Sequence, residues 1–269
     1  MRSVLKRLLY AAVNNAPAQR LLRANVYVSE LLMGIGSAAD ATSSGERTLL
    51  ERLAAAESDG CVVVDVGANQ GQFVQQVLDA FAQRTVQIHA FEPSEQSFQV
   101  LRDRVGSSPS IRLNRLALGR QVGTARLYSD APGSGLASMT RRRLDHFGIQ
   151  HGRSEEIKVG TLDDYLRAQG LTDVALLKVD VEGHELDVLE GGRQSLRTGV
   201  VRRVLFEFGG CNIDSRTYLQ DFFYLFLDLG MHLFRLTPGG YLQAIDRYEE
   251  VLEKFRTTMF LAVRPEMQL

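Results

Sequence analysis

Residues 174–181 read VALLKVDV, apolar at all but two positions. A run that short and that apolar predicts a strand covered on both faces, which confines it to the interior of a sheet with helices packed on each side. Further strand-like runs fall at 61–66 (CVVVDV), 86–91 (VQIHAF), 111–114, 124–128, 201–208, 231–236 and 258–263. Apolar residues at helical spacing occupy many of the gaps, near 71–83, 94–105, 161–169, 185–196 and 215–229. Strand, helix and strand repeated in this way predict an α/β fold with a mostly parallel sheet and helices on both faces. The last two runs have no long helix between them, so they are expected to form an antiparallel hairpin at one edge. Residues 129–156, rich in Gly, Ser and Arg, have little periodicity and read as one long loop, functional or mobile.

The first 58 residues differ in character. Val4, Leu5, Leu8, Leu9, Ala12 and Val13 recur at helical spacing, with Arg2, Lys6 and Arg7 elsewhere on the turn. A second apolar stretch runs over 21–32, residues 36–45 read as a small polar linker, and a third helix is expected over 46–57. The chain therefore divides into a helical cap or extension, 1–58, and an α/β domain, 59–269. The basic amphipathic pattern of residues 1–35 suits a membrane surface, a cover over a substrate mouth or an oligomer contact. A break within four turns and the lack of tryptophan favour the cap or the homo-oligomer contact.

Composition removes several classes. With 45% hydrophobic and 23% charged residues the chain is an ordinary globular protein, not a disordered one. Lys and Arg total 31 against 32 Asp and Glu, without the basic excess of a nucleic-acid binder. No stretch approaches the ~20 apolar residues of a membrane span. The basic N-terminus, interrupted by Asn14, Asn15 and Pro17, lacks a signal-peptide core, so the chain reads as cytoplasmic. Cys61 and Cys211 have no metal-ligand spacing and are expected to be small buried hydrophobes.

The first strand runs into Asp65-Val66-Gly67-Ala68-Asn69-Gln70-Gly71-Gln72-Phe73 ahead of a helix. Glycines at such a turn let a ligand reach the backbone and the helix N-terminus. Glu92 ends the next strand 21 residues past Gly71, where an acid that binds ribose is expected. Asn69 and Gln72 replace two glycines of the dinucleotide fingerprint, and the Asp65 carboxylate would repel a pyrophosphate. The same carboxylate suits S-adenosylmethionine, which carries an ammonium and a sulfonium and no phosphate.

The segments VVVDVGANQGQF, HAFEPSEQSFQVLRDRV, LNRLALG, VGTLDDYL, LLKVDVEGHELDVLEGG and VLFEF, in this order between about residues 61 and 210, resemble the FkbM family of S-adenosylmethionine-dependent O-methyltransferases. The resemblance implies a class I methyltransferase fold, Rossmann-like, with a seven-stranded sheet ordered 3-2-1-4-5-7-6 and strand 7 antiparallel. It implies methylation of a hydroxyl on a small molecule, such as a sugar or a secondary-metabolite or glycolipid precursor. Asp65, Gly67, Asn69, Gly71 and Phe73 would form the methionine-side loop. Glu92 would take the ribose hydroxyls, Pro93 and Ser94 would flank the sugar, and Leu116 and Ala117 would sit beside adenine. Arg115 stands where related enzymes often carry an acid or amide, which leaves adenine to backbone groups.

Lys178, Asp180 and Glu182 alternate, so they share a face for as long as the strand persists. A lysine in an apolar strand needs a partner, and the two acids are the near ones. Glu207 ends the next strand similarly, and His184 opens a helix. This cluster is expected to border the acceptor. Asp180 is the first candidate for the base, then His184, with His146 or His151 on the long loop as further candidates. Lys178 would hold the carboxylates, and Asp180 with Glu207 could bind Mg²⁺. No His/Cys set supports zinc. The run Arg141–Arg143 reads as a solvated face or as a clamp for a substrate carboxylate or phosphate. Two rival readings are a nicotinamide-dependent oxidoreductase, opposed by Asp65 and the missing glycines, and a non-catalytic binding module of the same fold, opposed by the intact motifs.

Overall fold

The computed structural model describes residues 2–38, 44–106 and 108–266. Two N-terminal helices, α1 (Arg2–Val13) and α2 (Ala16–Leu32), precede α3 (Glu46–Ala56). Asn15 caps α2 by accepting from the Ala18 N–H, and Pro17 sits in its first turn, so the residues read as an interruption start a helix. There follow β1 (Cys61–Val66), α4 (Gln72–Ala80), β2 (Val86–Phe91), α5 (Glu95–Val105), β3 (Ile111–Asn114), β4 (Ala117–Leu118), β5 (Gly123–Ser129) and β6 (Arg153–Gly160). The remainder is α6 (Leu162–Gln169), β7 (Leu176–Val179), α7 (Glu185–Gly191), α8 (Arg193–Thr198), β8 (Arg203–Phe208), α9 (Cys211–Ser215), α10 (Leu219–Asp228), β9 (His232–Leu236), β10 (Leu242–Ile245) and β11 (Thr258–Val263).

The main sheet runs β3-β2-β1-β7-β8-β11-β9-β10. Seven of these strands follow the expected methyltransferase order, β11 lying antiparallel to both neighbours, and β10 adds an eighth at the edge. Successive residues of β1 serve opposite faces. Val62, Val64 and Val66 join a core with α6, α7, α8 and α10, while Cys61 and Val63 join one with α3 and α4. Phe206 of β8 stacks on Phe222 of α10, ring centres 4.8 Å apart.

Several expectations need correction. The runs at 231–236 and 258–263 do pair, but the edge hairpin is β9 with β10, and β11 inserts between β9 and β8. The segment 129–156 is not all loop: Arg153 opens β6, which pairs antiparallel with β5 and parallel with β4 in a separate three-stranded sheet. The helix over 185–196 divides into α7 and α8. Gly191 and Gly192 leave no room for a side chain there; a Cβ would stand 2.0 Å from the Gly119 carbonyl and 2.5 Å from Leu162. The helix over 215–229 starts at Leu219, where Tyr218 and Asp221 form a reciprocal cap. Residues 39–43 of the expected linker lie outside the described residues. Its two ends pack on the body: Gly36 N–H donates to Thr258, and Ser37 and Ser44 are buried. Among the described residues no helix is long and apolar enough to cross a membrane.

Candidate active site

A cavity of about 590 Å³ opens at the C-terminal ends of β1, β2, β7 and β8, where ligands bind in open α/β sheets. Gly67 and Ala68 donate backbone N–H groups to the Phe91 carbonyl, 3.0 and 2.9 Å, which ties the glycine turn to the end of β2. Gly67, at φ +87°, passes so close to β7 that a Cβ would meet the Asp180 carbonyl at 1.8 Å. Its glycine is required by the chain's own packing. Glu92 lines the cavity and accepts backbone N–H bonds from Asn69, 2.9 Å, and Ser94, 2.8 Å. Burial pushes its carboxyl up to about 7 despite these two donors. Leu116, Ala117, Leu118 and Leu127 supply an apolar wall beyond it.

On the other side lie Asp180, Glu182 and Glu207. β7 ends at Val179, so the alternation breaks where the acids begin, and Glu182 adopts a left-handed conformation, φ +55°. Lys178 Nζ donates to Asp180 at 3.0 Å and stands 3.7 Å from Asp65, whose buried oxygens accept no hydrogen bond. Burial pushes Asp65 up to about 6, with Lys178 opposing. Burial works against the Lys178 charge, but Asp180, Asp65 and Glu46 outweigh it and raise its pKa. Burial and the Asp180 charge push Glu182 up to about 8 and carry Glu207 well above the usual carboxylate range.

Glu182 is paired with Arg142, not with Lys178. Arg142 also reaches Asp214 at 3.5 Å, so this arginine clamps two carboxylates of the protein itself; Arg141 and Arg143 are exposed. Three alternate residues of the long loop grip the turn after β7. Ser138 donates to the Glu182 carbonyl, 2.7 Å, Thr140 bonds His184 Nε2, 2.9 Å, and Arg142 takes the Glu182 side chain. His184 Nδ1 is held by Asp187 at 3.0 Å, so both ring nitrogens are engaged.

The FkbM methyltransferase domain matches residues 65–230, more than half of the chain. The chain belongs to the FkbM methyltransferase family. It is similar to the 2-O-methyltransferase NoeI of Sinorhizobium fredii, 25% identical over 144 residues. It is 31% identical over 156 residues to the 31-O-demethyl-FK506 methyltransferase FkbM of Streptomyces tacrolimicus. These alignments cover 50% and 49% of this chain and 58% and 59% of the relatives, so it spans little more than half their length. A crystal structure of an FkbM methyltransferase from Methylobacillus flagellatus overlaps 76% of this chain and 44% of its own, with a TM-score of 0.48 and 17% identity.

Within this FkbM domain the cavity brings together Gly67, Asn69, Glu92, Pro93, Leu116, Ala117, Asp180 and Glu207 from the residues singled out by sequence. Asp65, Gly71, Phe73, Ser94, Lys178 and His184 stand behind this lining. Gly71 turns the chain at φ +85° into α4, and Phe73 packs its ring 5.1 Å from Lys178 Nζ. Arg115 pairs with the exposed Glu95, away from the lining. His146 is exposed, its ring tilted at 41° against that of Phe147, and the buried His151 receives the Arg142 backbone N–H. Sequence reasoning overlooked Glu185. Its buried carboxylate accepts from Val181 and Gly183 N–H, 3.1 and 2.9 Å, and fixes the turn that carries Asp180 and Glu182. An acid in the first turn of a helix after Gly183 was the available signal. Cys211, read only as a core residue, is buried yet reaches the cavity wall.

Proposed function

We propose that the chain transfers a methyl group from S-adenosylmethionine to a hydroxyl of a small-molecule acceptor. The observation that carries this reading is that the glycine turn, Glu92 and the carboxylates of Asp180 and Glu207 open onto one cavity, of a size usual for small-molecule sites. The residues fit that cofactor. Each Glu92 oxygen spends one lone pair on a backbone N–H and keeps another for a ribose hydroxyl. Leu116, Ala117, Leu118 and Leu127 offer an apolar slot to a planar base. The lining cations Arg142 and Arg256 are committed to Glu182 and Asp214 and to Glu30, which disfavours a pyrophosphate. The names of the two relatives, both O-methyltransferases or acting on an O-demethyl compound, support oxygen as the acceptor atom.

The cofactor supplies an already activated methyl, so the chain has to orient the acceptor and accept its proton. Asp180 is the base in this reading. It lines the cavity, its side chain is about a third exposed, and Lys178 fixes one of its oxygens. Glu207, whose burial beside the Asp180 charge favours the acid form, donates a hydrogen bond to the acceptor in this reading. His184 holds Thr140 and so positions the loop. Met139, Phe147 and Phe255 give the acceptor's body an apolar wall, which favours a secondary-metabolite or glycolipid precursor over a bare sugar.

Asp180, Glu182 and Glu207 can bring one oxygen each within 4.8 Å of the others, close enough for one divalent ion. Lys178 and Arg142, however, already neutralise two of the three, and an ion would have to displace Arg142. The donor set therefore fits Mg²⁺ poorly, and no step is assigned to it.

Calorimetry with S-adenosylhomocysteine and with NAD tests the cofactor; an isotherm for NAD alone would favour the oxidoreductase. Methyl transfer from labelled cofactor to a panel of glycosides and macrocyclic alcohols tests turnover. Asp180→Asn is expected to lower kcat by about 10²–10⁴ with S-adenosylhomocysteine affinity retained, and EDTA to leave the rate unchanged. Cofactor binding without turnover on any alcohol would leave the non-catalytic module as the better reading.

A further inference from the structure

We propose that α1 and α2 form a docking face for an anionic lipid surface. α2 is held to the body along one side only. Glu30 accepts from Lys254 and Arg256, both at 3.0 Å, and the Arg256 guanidinium sits 4.7 Å from the ring centre of Tyr27. On the opposite side of the helix Leu21, Val28 and Leu32, spaced by two turns and then one, are exposed, Leu21 at 73% and Leu32 at 76%. No residue of α2 is buried. α1 continues the pattern with Val4, Leu5 and Leu9 exposed.

Charge selects the occupant. Residues 1–29 contain no acid, while Lys6, Arg7, Arg20 and Arg23 are exposed, in a chain whose net charge is -1. An isologous dimer through this face would bring together two copies of a segment that carries cations and no acid before Glu30. A surface of anionic headgroups over acyl chains suits both features: apolar side chains enter the boundary, and the exposed cations of α1 and of the first turns of α2 are drawn to the phosphates. The backbone leaves α2 for Gly36 and Ala38, which line the cavity, so the docking face and the cavity wall are neighbours along the chain.

The test is co-sedimentation of the full chain with vesicles of phosphatidylcholine alone and of an equimolar mixture with phosphatidylglycerol. Binding to the mixture is expected to exceed that to phosphatidylcholine by roughly tenfold or more, and to fall away in about 1 M salt, where the Debye length shrinks to about 3 Å. Arg20→Glu with Arg23→Glu, and separately Leu21→Ser with Leu32→Ser, should each weaken it at least roughly tenfold while the melting curve stays unchanged, since all four residues are exposed. Equal binding to both vesicles, binding to neither, or a dimer in light scattering that the leucine variant dissociates would overturn the proposal.

Discussion

Glu92 carries two opposed demands. Its backbone partners, and a ribose in the proposed reading, need the carboxylate, yet its burial favours the acid form, up to about 7. Between the ordinary value of 4.5 and that point the folded state holds the proton more tightly than the unfolded chain does. Stability without ligand therefore falls as pH rises through that window. If Glu92 takes the ribose as proposed, affinity for S-adenosylhomocysteine should run the other way, rising several-fold as pH climbs through about 7, because two hydroxyl donors favour the ionised form. Glu92→Gln should remove the binding trend and lessen the stability trend, with the other buried acids of raised pKa, Asp65, Glu182 and Glu207 among them, supplying what remains; melting curves and calorimetry over that range check both. Its place on the cavity wall was legible because parallel strands of such a sheet end at the crevice. Arg142 was not. Nothing in the run RRR separates the one arginine that folds inward onto Glu182 and Asp214 from the two that remain in solvent.

At the scale of elements, the grip of Ser138, Thr140 and Arg142 on the turn after β7 makes the wall of the cavity depend on a segment that is tied to β5 by one backbone pair, Ser138 with Tyr128. Thr140→Val with Ser138→Ala removes two of the three bonds. Amide hydrogen exchange of residues 138–142 should then speed up by about an order of magnitude, with β1 unchanged, and KM for the acceptor should rise more than kcat falls. Unaltered exchange in this segment would assign its order to other contacts. The buried strands were readable because a strand covered on both faces must be apolar at nearly every position. β6 hid for the opposite reason: only Ile157 of its eight residues is buried, and its pairing with β5 runs through the backbone, on which the sequence is silent. β10 escaped likewise, as an edge strand with one buried residue. The end of β7 at Val179 was misplaced because Asp180 and Glu182 continue the alternation in letters after the backbone has left it.

Over the whole molecule, two cores back onto one sheet, and the aromatic one is concentrated on the side of α10. Phe206 contacts Phe222, Phe226 and Phe260 there. Phe206→Ala should cost about 3–5 kcal/mol in urea denaturation, with cofactor affinity changed little. β11 gives the sheet a further property. It lies inside, between β8 and β9, although both are translated before it. Until residues 258–263 have left the ribosome, β8 presents an open edge and the β9–β10 hairpin has no partner to dock on. Synthesis thus holds the nascent chain in a state with two unsatisfied strand edges, and β11 closes both once it emerges.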